Sequence, residues 1–229
     1  MYVPSAVPVT VCAGDSPLSR SNLQSCDFDA HRRRIRNFPS DPKILLLEPF
    51  YPPEAAWGSV KVEQGYLPPL GTISVYRWLK EQGYSVDFQD TQFGDVTEER
   101  LRDLLRRNNY SLVGLPLFTP TANHVFDTAK IIRSVLPDAV IVYGGVHATN
   151  LSVESLEESP ECDFVIRREG EYTIVELLES LKRHETDFSA IEGITWRRDG
   201  ATLINTSRGA EAAPAHPQAG GRGAQDPQV

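Results

Sequence analysis

Between residues 43 and 183, short apolar runs alternate with segments whose apolar positions recur every three or four residues. The runs "KILLLE" (43–48), "SVDFQD" (85–90), "SLVGLPLF" (111–118), "AVIVYG" (139–144) and "CDFVIR" (162–167) read as strands, the third irregular at Pro116. Between them, 68–84 reads as a helix, with Pro69 in its first turn, Ile73, Tyr76 and Leu79 recurring along it, and Gly83 at its C-terminal cap. Residues 97–108 follow with Thr97 as N-cap and Leu101, Leu104 and Leu105 on one face. Residues 121–136 turn Val125, Ala129, Ile132 and Leu136 inward, and 153–159 and 171–183 complete the series. Continuous apolar strands between amphipathic helices predict a parallel sheet covered on both faces. Right-handed crossovers then give a doubly wound, five-stranded α/β fold of Rossmann or flavodoxin type, order 2-1-3-4-5. Residues 193–205 alternate around Asp199-Gly200, a favoured two-residue turn, and predict a small β-hairpin after the sheet.

The pattern fades at both ends. Residues 1–40 are rich in Pro, Ser, Asp and Arg without periodicity, and 209–229 are low-complexity Ala, Gly, Pro and Gln. Both are expected to be disordered, leaving an α/β domain over 41–185 and a hairpin extension over 186–208. The run "HRRRIR" (31–36) is expected to be a solvated tail, because no aromatic platform accompanies it. With a net charge of −8 the chain is a poor partner for nucleic acid. Cys12, Cys26 and Cys162 share no metal-like spacing and read as free thiols of a reducing compartment. The N-terminus lacks a basic n-region, and no apolar stretch is long enough to span a membrane. The expected location is cytoplasmic.

In such a sheet ligands sit outside the carboxyl ends of the strands, at the switch point between the first and third. Four loops meet there. The first, 48–71, is long and carries Phe50, Tyr51, Trp57 and Tyr66, as a lid or apolar platform would. The others are "FTPT" (118–121), "GGVHAT" (144–149) and "RREGE" (167–171). Gly144 and Gly145 admit two readings: a tight turn needing positive φ, or the removal of side chains so that a bulky ligand can approach the backbone. The second reading is preferred, and it predicts that Gly145→Val weakens ligand binding while the free protein melts nearly as before.

Residues 43–206 resemble the cobalamin-binding domain of cobalamin-dependent radical SAM enzymes. The resemblance rests on "PPLG" (68–71), "LVGLPLFTPT" (112–121), "VYGGVHAT" (142–149), "DFVIRREGEYTIVELLESL" (163–181) and the hairpin "IEGITWRRDGATLIN" (191–205), in that order and spacing. It implies cobalamin as cofactor and partner. Tyr66, Leu67 and Pro68 would border the corrin from the first loop, with Phe118, Thr119, Pro120 and Thr121 facing it. Gly144, Gly145, Val146, His147 and Thr149 would border the nucleotide tail, and Glu169, Gly170 and Glu171 would close the far side. The wider family supplies a lower cobalt ligand from an Asp-x-His-x-x-Gly after the first strand. Here "EPFYPP" (48–53) has no His, as is common in the radical SAM branch, so no histidine from the protein is expected on cobalt. The family's frequent Ser in the third strand is also replaced. The Cys-x-x-x-Cys-x-x-Cys that holds the branch's iron–sulfur cluster is absent, so no cluster and no catalytic residue are expected in this chain. The implied partner is a radical SAM catalytic domain or chain, performing methyl transfer or related chemistry.

Single side chains carry less. His147 has no second ligand at a metal spacing, so it borders the cofactor or caps a helix. Glu169 and Glu171 form either an acid–base pair or the charged first turn of a helix. Glu48 orients a ligand or merely ends its strand. A regulatory or interaction domain that has lost the cofactor is the alternative function. A flavodoxin needs a Ser/Thr/Gly-rich loop after the first strand, and a phosphoryl receiver an Asp closing the third; neither is present.

Overall fold

The computed structural model describes residues 9–11, 27–49, 68–91 and 97–209. Eight strands form one sheet: β1 Val9–Val11, β2 Lys43–Glu48, β3 Ser85–Asp90, β4 Leu112–Pro116, β5 Val140–Gly144, β6 Phe164–Ile166, β7 Ile194–Arg198 and β8 Ala201–Ile204. Their order is β1-β8-β7-β6-β5-β4-β2-β3. The core β3-β2-β4-β5-β6 is parallel throughout and has the predicted order. Pro116, which cannot donate to a ladder, is the last paired residue of β4, opposite Gly144.

The hairpin is where predicted, with Asp199 and Gly200 at φ 50° and 82° between its strands. It does more than follow the sheet. β7 pairs antiparallel with β6 and β8 antiparallel with β7, so both extend it, and β1 adds in parallel on β8. Trp196 joins Phe188 and Phe164 in edge-to-face contacts that seal the junction.

The helices are α1 Phe28–Arg36, α2 Leu70–Glu81, α3 Glu98–Asn108, α4 Ala122–Val135, α5 Val146–Asn150, α6 Ser152–Glu158 and α7 Glu171–Lys182. Strand alternation sorts the core into two layers. Leu45, Leu47, Val113, Leu115, Ile141, Tyr143 and Val165 pack against α3, α4, α5 and α6. Ile44, Leu46, Leu112, Val140, Val142, Phe164 and Ile166 pack against α1, α2 and α7. The Thr97 hydroxyl accepts the N–H of Arg100, the predicted cap of α3. No helix among the described residues is long and apolar enough to cross a membrane.

Helix α1 corrects two expectations, that residues 1–40 are without structure and that the basic run is solvated. Asp27 caps the helix, and its arginines lie across the amino edge of the sheet. Arg33 pairs with Asp138 before β5, Arg34 and His31 with Asp163 before β6, and Arg32 with Asp199 of the hairpin turn. Asp163 is buried and fully answered. Its Oδ1 accepts from His31 Nδ1 at 2.8 Å and from Arg34 at 2.7 and 3.0 Å; its Oδ2 accepts from Arg133 at 2.8 Å and from the N–H of Ile141 at 2.9 Å. Burial alone would raise its carboxyl, but Arg133 and Arg34, with His31, hold it well below the usual carboxylate range.

Candidate functional site

β2, β4, β5 and β6 all end at the same edge of the sheet, and hydrogen bonds brace the loops that follow them. Leu117 donates its N–H to the Gly144 carbonyl at 2.7 Å and accepts that of His147 at 3.1 Å, locking the turn after β4 to the turn after β5. His147 Nδ1 lies 3.0 Å from the Thr119 hydroxyl, a second tie between the same loops. Thr121 is buried and closes a 3-10 turn over Thr119–Thr121, its N–H and hydroxyl both reaching the Phe118 carbonyl. Thr149 accepts the N–H of Arg168 at 2.8 Å, joining β5's loop to β6's. A ligand entering here meets loops that are already positioned.

The stretch "GGVHAT" (144–149) resolves into a glycine turn and a short helix, α5, where a loop was expected. Gly145 has φ 97° and ψ −179°, a region nearly restricted to glycine. A Cβ there would stand 3.0 Å from the Leu117 carbonyl oxygen and 3.2 Å from its nitrogen. Gly145 therefore serves the turn and the close approach of Leu117, which corrects the expectation that its missing side chain serves a ligand. Gly144 differs: a Cβ there would meet nothing within 4 Å.

Helix α2 supplies hydroxyls that sequence reasoning missed. Thr72 donates to Glu48 at the end of β2, and Ser74 donates to Glu171 at 2.7 Å, the first residue of α7. The only available signal was a pair of hydroxyls two residues apart in a helix's opening turns, facing strand-end acids. Glu171 is buried and opens α7, while Glu169 is exposed in the loop before it. Burial pushes the Glu48 carboxyl up to about 7, against the Thr72 hydrogen bond and with Asp90 adding to the rise. The folded protein thus holds a proton that the unfolded chain releases near 4.5, and stability falls as pH climbs from there to about 7. Urea unfolding at pH 5 and pH 8 is expected to show Glu48→Gln sparing up to roughly 3 kcal/mol of that decline. A variant with the wild-type pH slope would assign the slope to other groups.

The edge is also apolar. Among the described residues the exposed large hydrophobics are Leu70 (71% exposed), Phe118 (43%), Val146 (56%) and Leu151 (39%). The first three open α2, follow β4 and follow β5, so they rim the switch point. Pro68 precedes α2 at this edge, Pro120 lies in the 3-10 turn and Gly170 caps α7. Tyr66, Leu67 and the aromatics of the first loop lie outside the described residues. Cys162 is buried at the opposite edge, its thiol pushed up by burial. No group of three His, Cys, Asp or Glu among the described residues is placed to hold a metal ion.

A flat, largely apolar macrocycle with a long polar appendage fits these features: an apolar rim around the switch point and open backbone at Gly144. Comparison with known proteins points the same way. The anaerobic magnesium-protoporphyrin IX monomethyl ester cyclase of Synechocystis sp. is 33% identical over 159 residues, 69% of this chain and 31% of the cyclase. The radical S-adenosylmethionine methyltransferase TsrM from Kitasatospora setae, solved with cobalamin and a [4Fe-4S] cluster, superposes with a TM-score of 0.60 at 19% identity, over 77% of this chain and 32% of TsrM. The cobalamin-dependent S-adenosylmethionine radical enzyme OxsB, with aqua-cobalamin and S-adenosylmethionine bound, gives 0.59 at 21% identity, over 74% of this chain and 23% of OxsB. The two structures share the fold, and the chain spans about a third or less of each of these proteins. The B12 binding domain family model matches residues 59–178, more than half the chain. With its sheet order, its braced carboxyl edge and this match, the chain belongs to the B12-binding domain family.

Proposed function

We propose that this chain binds cobalamin across the carboxyl edge of its sheet and carries it for a radical SAM catalytic domain or chain. The observation that carries this reading is the rim of Leu70, Phe118 and Val146 around the switch point, with Gly144 open beside it. Cobalamin supplies a cobalt centre suited to methyl transfer and related chemistry. The chain's own residues bind and orient. Phe118 and its neighbours Thr119, Pro120 and Thr121 offer the corrin an apolar face on a turn held by Thr121. Val146 and Gly144 border the tail, and His147 and Thr149 keep the loops around it in register. Glu48, its carboxyl pushed up to about 7 while it accepts the Thr72 hydroxyl, closes the β2 side carrying only part of a full charge near neutral pH.

With cobalamin bound, the loop after β2 would offer the cobalt no histidine, because it contains none. His147 would serve as the brace between the β4 and β5 loops, its Nδ1 at the Thr119 hydroxyl. The chain holds no iron–sulfur cluster of its own, because its cysteines lack the required spacing. S-adenosylmethionine cleavage therefore belongs to the partner, and the pair works in the cytoplasm.

Mixing the purified protein with hydroxocobalamin and desalting is expected to leave about one corrinoid per chain, read by its absorbance. Electron paramagnetic resonance of the Co(II) form is expected to show no histidine splitting. A protein that elutes colourless refutes the binding reading. Splitting that vanishes in His147→Ala refutes the histidine-free lower face.

A further inference from the structure

Two guanidinium groups at the carboxyl edge have no acid to answer them among the described residues. Arg167 follows β6 and is half-buried, yet its donors reach only neutral oxygens, the Ser207 hydroxyl at 3.1 Å and the Asn205 carbonyl. Its Nε has no partner. Burial, and then the charge of Arg168, lower its pKa. Arg168 is exposed and makes no ion pair among the described residues, and Glu169, the exposed acid beside it, pairs with neither. Other arginines are answered by acids: Arg208 pairs with Glu176, Arg198 with Asp187 and Arg183 with Glu185. On a chain of net charge −8, an unanswered pair of cations stands out.

The backbone adds a second observation. Arg168 sits at φ 63°, a left-handed conformation unfavourable to a residue with a side chain. The Thr149 hydroxyl accepts its N–H and so pins that conformation to the loop after β5. β5 and β6 are paired neighbours, Val142 opposite Phe164 and Tyr143 opposite Val165, so Gly144 stands level with Ile166 and Arg168 follows two residues beyond that strand end. A pinned cation in a left-handed conformation thus lies in the loop of the strand beside β5, on the edge where the backbone at Gly144 is open.

We propose that Arg168, with Arg167 behind it, recognises the phosphodiester in the nucleotide tail of cobalamin. The proposal rests on the cobalamin reading above and adds the anion that the two arginines lack. A guanidinium matches a phosphate through two parallel N–H donors, and such charge-assisted bonds are the stronger class. The start of α7, directly after this loop, favours negative charge on the same side.

The test uses the full chain and two corrinoids, hydroxocobalamin and cobinamide, which lacks the nucleotide tail and its phosphodiester. Arg168→Gln and Arg168→Gly are each expected to lower cobalamin affinity about tenfold and to leave cobinamide affinity unchanged. Arg168→Gly relieves the left-handed strain, so its apo melting temperature is expected to equal or exceed that of wild type. A loss of affinity in that variant is then not a loss of fold. Equal losses for both corrinoids, or no loss for cobalamin, overturn the proposal. If inorganic phosphate alone raises the apo melting temperature through Arg168 while cobalamin affinity ignores the substitution, the arginine serves free phosphate and the proposal falls. A wild-type protein that binds neither corrinoid overturns the cobalamin reading itself, an outcome distinct from the others.

Discussion

Asp163→Ala is expected to destabilise the folded chain by about 3–5 kcal/mol, the usual effect of stripping one partner from a buried ion cluster. The reason lies in what remains. Arg34 is 5% exposed and shares Asp163 with Arg133 and His31, so removing the carboxylate leaves buried cations facing one another. The N–H of Ile141 loses its acceptor as well. The loss is a large fraction of the 5–15 kcal/mol that holds a typical domain together. Two measurements check it. Urea unfolding gives the energy, and trypsin reports whether α1, now held less firmly, exposes Arg32, Arg33 and Arg34 to cleavage. Arg34→Met in the Asp163→Ala background is expected to restore part of the stability, because it removes an unpaired charge. A loss below about 1 kcal/mol, with α1 still protected, would show that the cluster contributes little. In the wild type the carboxylate's contribution is complete above the ordinary 3.8 and fades only as pH falls below it.

Gly145→Val and Gly144→Val are expected to fail in opposite ways. At Gly145 a side chain must adopt a conformation nearly closed to L-residues and press on the Leu117 carbonyl, so the apo protein should lose roughly 2–4 kcal/mol. At Gly144 the space is open and the backbone ordinary, so the apo melt should hardly move. The new side chain instead overpacks the ground assigned to the corrinoid by about 1–3 kcal/mol. Cobalamin affinity should then fall about tenfold to a hundredfold. Thermal melts of both apo variants beside cobalamin titrations separate the cases. A stable Gly145→Val with weakened binding would reverse the assignment of the two glycines.

That division shows where sequence reading stops. Two adjacent glycines after a β-branched run announce a special turn, but only the backbone tells which one needs positive φ and which one leaves room. The five βα units were legible because their buried faces are apolar and periodic. Helix α1 was not, because its buried face is His31 and Arg34 beside Ala30 and Ile35. Hydrophobic periodicity cannot register a helix held by charge, although His31, Arg34 and Ile35 do fall at helical spacing on one face. The acids that receive it are separated from it by more than a hundred residues of sequence, two in connections that read as ordinary turns and Asp163 at the start of a run that reads as a strand. At the carboxyl edge the strand-end loops were legible from topology alone. The braces between them, Thr119 to His147 and Thr149 to Arg168, were not, since they depend on which side chains meet across two crossovers. Arg167 and Arg168 stood in the quoted loop, but nothing in a sequence distinguishes a paired arginine from an unpaired one.

The hairpin reverses direction twice, so β8 runs parallel to the core strands and ends at their carboxyl edge. Asn205 anchors that end, its amide bonded to the carbonyls of Phe188 and Ile191 and its side-chain oxygen to the Trp196 indole. With β7 alone, chain leaving the sheet would start from the opposite edge, a strand length of about 15 Å away. On the proposed function, a catalytic unit joined after β8 would begin its path at the edge assigned to the cofactor. The tether then needs little slack, and a short tether sets a high effective concentration. On that reading, the direction of β8 sets where a collaborating active site would start its reach.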